Sequence, residues 1–89
     1  MKEKIPYKLN PNMIIKEYNN VFISETAHVL NPIGKIILDL IDGKNNVDSI
    51  IKKVQMKYPN TDGNAIGQDV LEFLNKLLAE EVIGFKDGK

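Results

Sequence analysis

Side chains able to do covalent or acid–base chemistry are few in this chain. His28 is the only imidazole, Ser24 and Ser49 are the only serines, and there is no cysteine. A Ser–His–Asp relay needs a nucleophile, a base and an orienting acid within hydrogen-bond reach of one another. One histidine, in a segment that reads as a strand, offers little for that assembly. His28 is expected as a strand side chain at a sheet edge and not as a general base. Carboxylates recur at i, i+3 as Asp39/Asp42 and Asp69/Glu72, a spacing that places both acids on one helix face. With no histidine or third acid beside them they make a poor metal site and read as solvated helix surface. The six glycines are dispersed and form neither a phosphate-binding loop nor a dinucleotide fingerprint. No catalytic residue, metal or cofactor is expected, and the chain is read as a non-enzyme.

The elements that carry these residues announce themselves locally. Pro6 and Pro11 bracket an opening segment whose possible anchors are Ile5, Tyr7 and Leu9. Met13 to Tyr18 and Val21 to Glu25 are β-branched and aromatic runs separated by Asn19 and Asn20, and Asn tolerates the positive φ that a two-residue hairpin needs. Pairing Tyr18 with Val21 sets Lys16 opposite Ile23, so neither sheet face is cleanly apolar. Ala27 to Leu30 follows as a third strand. Connections this short cannot cross over, so the three strands are expected to form an antiparallel meander with the third at an edge.

Three helices are expected after the strands. Asn31 suits an N-cap and Pro32 the first helical position, and Ile33, Ile36, Ile37, Leu40 and Ile41 then recur on one face up to Asp42 and Gly43. A second helix starts near Asn46, carries Val47, Ile50, Ile51, Val54 and Tyr58 on one side, and stops at Pro59. The last is capped by Thr61, Asp62 or Asn64 and runs to about Glu80, with Ile66, Val70, Phe73, Leu74, Leu77 and Leu78 at helical spacing. Val82 to Phe85 is a short strand or an extended tail. The fold class is therefore α+β, a three-stranded antiparallel sheet followed by three helices, in one domain over residues 1–89 with an ordered core of about 7–85.

Composition narrows the functional classes. Twelve lysines and no arginine face twelve acids, so zero net charge gives no pull toward nucleic acid, membrane or polyanion. No apolar run approaches the roughly 20 residues that span a bilayer. Met1 to Pro6 lacks the apolar core of a signal peptide, which predicts a cytoplasmic protein. A winged helix-turn-helix DNA reader is the alternative, because the second and third helices are joined by a short turn. Its charges are wrong: the last helix sets Asp69, Glu72 and Glu80 against Lys76, although Lys52, Lys53 and Lys57 on the second helix could reach a phosphate backbone. Peptide recognition asks for less. An edge strand offers unpaired N–H and C=O groups to an extended peptide, and a neighbouring apolar helix flank supplies pockets.

The chain resembles a known family at Leu30-Asn31-Pro32-Ile33-Gly34, followed by Ile37, Leu40, Asp42-Gly43, Val47, Ile50, Tyr58, Asp69-Val70, Phe73-Leu74 and Leu77. In order and spacing these are similar to the PqqD family, the small proteins of pyrroloquinoline quinone biosynthesis and their relatives, the RiPP recognition elements. The resemblance extends from about Tyr7 to Ile83. Two positions depart from it: Ile33 stands where the family usually has a small residue or Thr, and Glu81 where a Gly commonly closes the last helix.

What the resemblance implies is a winged-helix-like fold and a noncatalytic peptide chaperone. The leader of a ribosomally made precursor would dock between the third strand and the third helix and add antiparallel to that strand. A separate maturase, a radical SAM enzyme or a peptidase/cyclase, would then modify the core peptide. Carried over by motif, the peptide-binding residues are Ala27, His28, Val29 and Leu30, acting mainly through backbone groups, with Asp69, Val70, Phe73 and Leu74 on the helix and Leu77 deeper. Val70, Phe73, Leu74 and Leu77 are expected to divide their surface between core and groove, and Asp69 to meet a basic leader residue or a backbone amide. Asn31 is assigned to capping. The partners implied are the leader peptide and the maturase, with no nucleic acid or membrane, in a monomer or weak homodimer.

Overall fold

The computed structural model of the chain describes residues 2–10, 15–18, 21–24, 29–30 and 32–87. In chain order the elements are β1 (Ile5–Lys8), β2 (Ile15–Tyr18), β3 (Val21–Ser24), β4 (Val29–Leu30), α1 (Pro32–Leu40), α2 (Val47–Lys57), α3 (Gly63–Ala79) and β5 (Ile83–Lys86). The α+β class read from the sequence holds. The turn at Asn19 and Asn20, the cap at Asn31, and Ala27 and His28 lie outside the described residues.

Each helix is built on the apolar spacing of its own sequence. In α2 the Asn46 side chain accepts a hydrogen bond from the Ser49 N–H (2.8 Å), satisfying an amide that has no partner inside the helix. Val47, Ile50, Ile51 and Val54 are buried along one face. The Asp62 side chain caps α3 by accepting from the Asn64 N–H (3.0 Å), which selects one of three candidate caps. The buried side of α1 is Gly34, Ile37, Leu38 and Ile41, whereas Ile33, Ile36 and Leu40 are half-buried. That face is rotated from the isoleucine stripe expected, because α1 is apolar on most sides and packs against α2, β3 and β4 together.

The strands form two sheets, not one. β2, β3 and β4 pair antiparallel in that order, with Tyr18 opposite Val21, Lys16 opposite Ile23, and β4 joined to β3 through Phe22–Leu30 and Ile23–Val29. The second sheet pairs the two ends of the chain: β1 runs antiparallel to β5, with Pro6 opposite Phe85 and Tyr7 opposite Gly84. A three-stranded sheet by itself therefore describes the protein incompletely. The opening segment, expected only as a set of anchors, is a strand with Pro6 fully buried. It also caps α2 from outside, since the Val47 and Asp48 N–H groups donate to the Lys4 and Lys2 carbonyls at 2.9 and 3.0 Å. Lys4 and Asp87 form an ion pair across this end. The pair raises the pKa of Lys4 and lowers that of Asp87, chiefly through their hydrogen bond.

Turn chemistry closes the helices. After α1 the Asp42 carboxylate accepts from the Lys44 and Asn45 N–H groups at 2.8 and 2.9 Å, and Gly43 takes φ +77°. The Asn45 amide is the main reason that the Asp42 carboxyl lies below its ordinary range. At the end of α3 the Val82 N–H reaches back to the Leu77 carbonyl (2.9 Å) and the Glu81 N–H to that of Leu78 (3.1 Å). These are the two bonds of a Schellman cap, and its left-handed position, usually Gly, is filled by Glu81 at φ +60°. A side chain costs roughly 1–2 kcal/mol in that conformation. Glu81→Gly is therefore expected to stabilise the fold by about 1 kcal/mol, raising the thermal midpoint by ~4–8 °C. A midpoint that stays level or falls in a thermal melt would show that Glu81 stabilises the cap through its side chain.

Candidate functional site

Between α1 and α3 lies an open groove of about 360 Å³. The first turns of α1 supply Ile33, Gly34 and Ile37, and the middle of α3 supplies Asp69, Glu72, Phe73 and Lys76. Gly34 and Ile37 are buried and form the floor; Ile33 and Phe73 are half-buried walls. Asp69, Glu72 and Lys76 are exposed at the rim. The α3 residues fall at i, i+3, i+4 and i+7, so helical periodicity gathers them on one flank without any special geometry. This volume is at the small end of the roughly 300–1,000 Å³ range of ligand pockets, a size suited to a few side chains.

The strand that leads into α1 is an edge strand among the described residues. β4 is last in the order β2-β3-β4 and packs against α1. Only one residue separates Leu30 from Pro32, so the strand leads directly into the groove-lining end of α1. The terminal strands β1 and β5 are engaged with each other in the other sheet and do not pair with β4. Among the described residues, no strand occupies the outer edge of β4. In an antiparallel ladder successive residues point their N–H and C=O groups to opposite sides. Of Val29 and Leu30, one therefore bonds to β3 and the other presents its backbone outward.

The residues carried over by motif separate into four sets. Ala27 and His28 fall outside the described residues, while Val29 and Leu30 form β4. Asp69 and Phe73 line the groove. Val70, Leu74 and Leu77, expected to share their surface between core and groove, give it to the core: they are 0%, 0% and 3% exposed. They meet Ile50, Val54 and Ile83 in the same buried cluster, since the stripe on α3 is wedged against α2 and β5. Phe73 lies off the centre of that stripe and is the apolar α3 residue left to the groove. Sequence reasoning misses the whole contribution of α1 to the groove, and with it Glu72 and Lys76. The one available signal on α1 is the departure of Ile33 from the family pattern, while Asp69/Glu72 read from spacing as solvated surface.

Among the described residues no group of three or more His, Cys, Asp or Glu could hold a metal ion, and no helix is long and apolar enough to cross a membrane. An apolar trough with charged rims and an edge strand that leads into α1 can bind an extended chain; it holds no evident nucleophile–base pair.

Comparison with known proteins agrees with the motif reading. Residues 21–83 match the family model described as coenzyme PQQ synthesis protein D (PqqD). Over 63 residues the chain is 35% identical to a PqqA binding protein of Kluyvera intermedia, an alignment covering 71% of this chain and 66% of that protein. The chain thus spans just under two-thirds of that relative's length. No solved structure matches it significantly. The matched region begins at β3 and ends at the first residue of β5, so the β1–β5 sheet lies almost wholly outside it. With the family match covering well over half of its residues, the chain belongs to the PqqD family.

Proposed function

We propose that this protein binds the leader of a ribosomally synthesised precursor peptide by strand addition to β4 and presents it to a modifying enzyme, without itself catalysing a reaction. The observation that carries this reading is the α1–α3 groove lined by Ile33 and Phe73, together with a strand that leads into α1 and has no partner strand on its outer edge among the described residues. The name of the Kluyvera relative, a PqqA binding protein, supports it. A disordered leader loses roughly 1–2 kcal/mol per ordered backbone residue. Main-chain bonds to an edge strand offset little of that alone, so side chains seated between Ile33 and Phe73 supply the net affinity. A maturase of the radical SAM or peptidase/cyclase type that held this domain would meet the core peptide at high local concentration.

On this reading the domain is a winged-helix-like unit whose third helix faces a peptide instead of a DNA groove. The rim of α3, with Asp69 and Glu72 exposed beside a single Lys76, fits that assignment and opposes a phosphate backbone.

The test is an NMR titration of the full chain with synthetic leaders from short reading frames beside its gene. The expected result is slowed hydrogen exchange at the outward amide of β4, together with shifts at Ile33, Asp69 and Phe73 on binding one leader. Binding that perturbs only the β1–β5 ribbon would place the peptide elsewhere, and the absence of binding by any adjacent leader would defeat the proposal.

A further inference from the structure

We infer that the groove selects an extended peptide carrying a basic side chain two positions from an apolar one, the cation seated against Asp69 and Glu72 and the apolar group between Ile33 and Phe73. This rests on the reading of the groove as a peptide site and specifies what it takes.

The charge at the rim is unbalanced. Asp69 and Glu72 are both exposed, and neither forms an ion pair among the described residues, whereas the acids of α1 and α2 that have Lys at helical spacing do pair: Asp39 with Lys35 and Asp48 with Lys52. Two carboxylates one turn apart beside an apolar floor attract a cation more strongly than they would on an open helix face, because the low-dielectric wall weakens screening. Lys76 lies at the opposite end of the same flank and disfavours a second cation there.

Spacing sets the pattern. From Asp69 to Phe73 is four helical residues, ~6 Å along the axis of α3 at 1.5 Å per residue. An extended chain places same-side residues i and i+2 at ~6.6–6.8 Å. A peptide running along α3 therefore presents one side chain to Asp69 and, two residues away, another to the Phe73 wall, with the Glu72 carboxylate between the two. The intervening residue points away and is free to vary, which leaves its backbone available to β4.

The experiment is fluorescence anisotropy with the full chain and labelled synthetic peptides in a Ser/Thr background. One carries Lys-Thr-Leu, one Glu-Thr-Leu and one Lys-Thr-Ser, each made also in reverse order. The Lys–Leu peptide is expected to bind in one order, and the Glu peptide roughly tenfold more weakly at low salt, about 1.4 kcal/mol, with the gap closing as salt is raised. The double variant Asp69→Asn/Glu72→Gln should lose this preference and Asp69→Lys/Glu72→Lys should invert it, both melting as wild type because the sites are exposed. If Lys and Glu peptides bind alike while Leu→Ser still weakens binding, the charge rule fails and the groove reading stands. If the three peptides bind equally, or none binds, both are overturned.

Discussion

Truncating Leu74 to Ala is expected to lower the free energy of unfolding by roughly 2–5 kcal/mol, a large part of the total for a domain of this size. Leu74 is fully buried where α3 meets α2 and β5, so its truncation leaves a cavity inside the main core cluster. The neighbouring substitution Phe73→Ala should behave differently, with a smaller loss of stability because Phe73 is half-buried, and a marked loss of affinity because it removes one wall of the groove. Urea denaturation beside a leader titration separates the two. Were Leu74→Ala to unfold like the wild type and yet lose leader affinity, Leu74 would belong to the peptide site, and the division of α3 into a core side and a groove side would be wrong.

The second large effect is expected in β4. Substituting Pro for Val29 or Leu30 removes one backbone donor and brings a ring against whatever strand lies on that side. Since the two residues alternate, one variant breaks the ladder to β3 and the other acts on the outer edge, which has no partner strand among the described residues. The outward variant should keep its melting transition and bind a cognate leader roughly tenfold or more weakly, because the leader's carbonyl is left buried and unpaired. The inward variant should lose stability first. Two variants that both fold and keep full affinity would rule out strand addition at β4; His28, in the same predicted strand, is the natural next substitution.

Much of this architecture is legible in the sequence because its causes are local. Caps, glycine turns and the i, i+3, i+4 recurrence of Ile and Val act within a few residues, so Asn46, Gly43 and the buried face of α2 can be read directly, and the cap of α3 is narrowed to Thr61, Asp62 or Asn64. Motif spacing carries the family, and through it Asp69 and Phe73. The departure at Glu81 is visible as a residue type, but its meaning emerges only from the backbone. Glu81 occupies the left-handed position of a cap whose two hydrogen bonds form regardless of the side chain.

Features that depend on distant residues meeting have no such local cause. The pairing of β1 with β5 joins strands from opposite ends of the chain, and nothing in the isolated pattern of Ile5, Pro6 and Tyr7 names Ile83 to Lys86 as the partner. Helical periodicity shows that α3 has a wide apolar stripe, but not which part of it α2 and β5 will cover. That depends on how three elements approach one another, and it sends Val70, Leu74 and Leu77 inward while Phe73 stays at the margin. The same packing brings Ile33 and Ile37 opposite Asp69 and Glu72, residues more than thirty positions apart that share no local signal. Neighbouring residues are enough to set the helices, their caps and the family motif; the groove exists only once α1 and α3 have been set side by side.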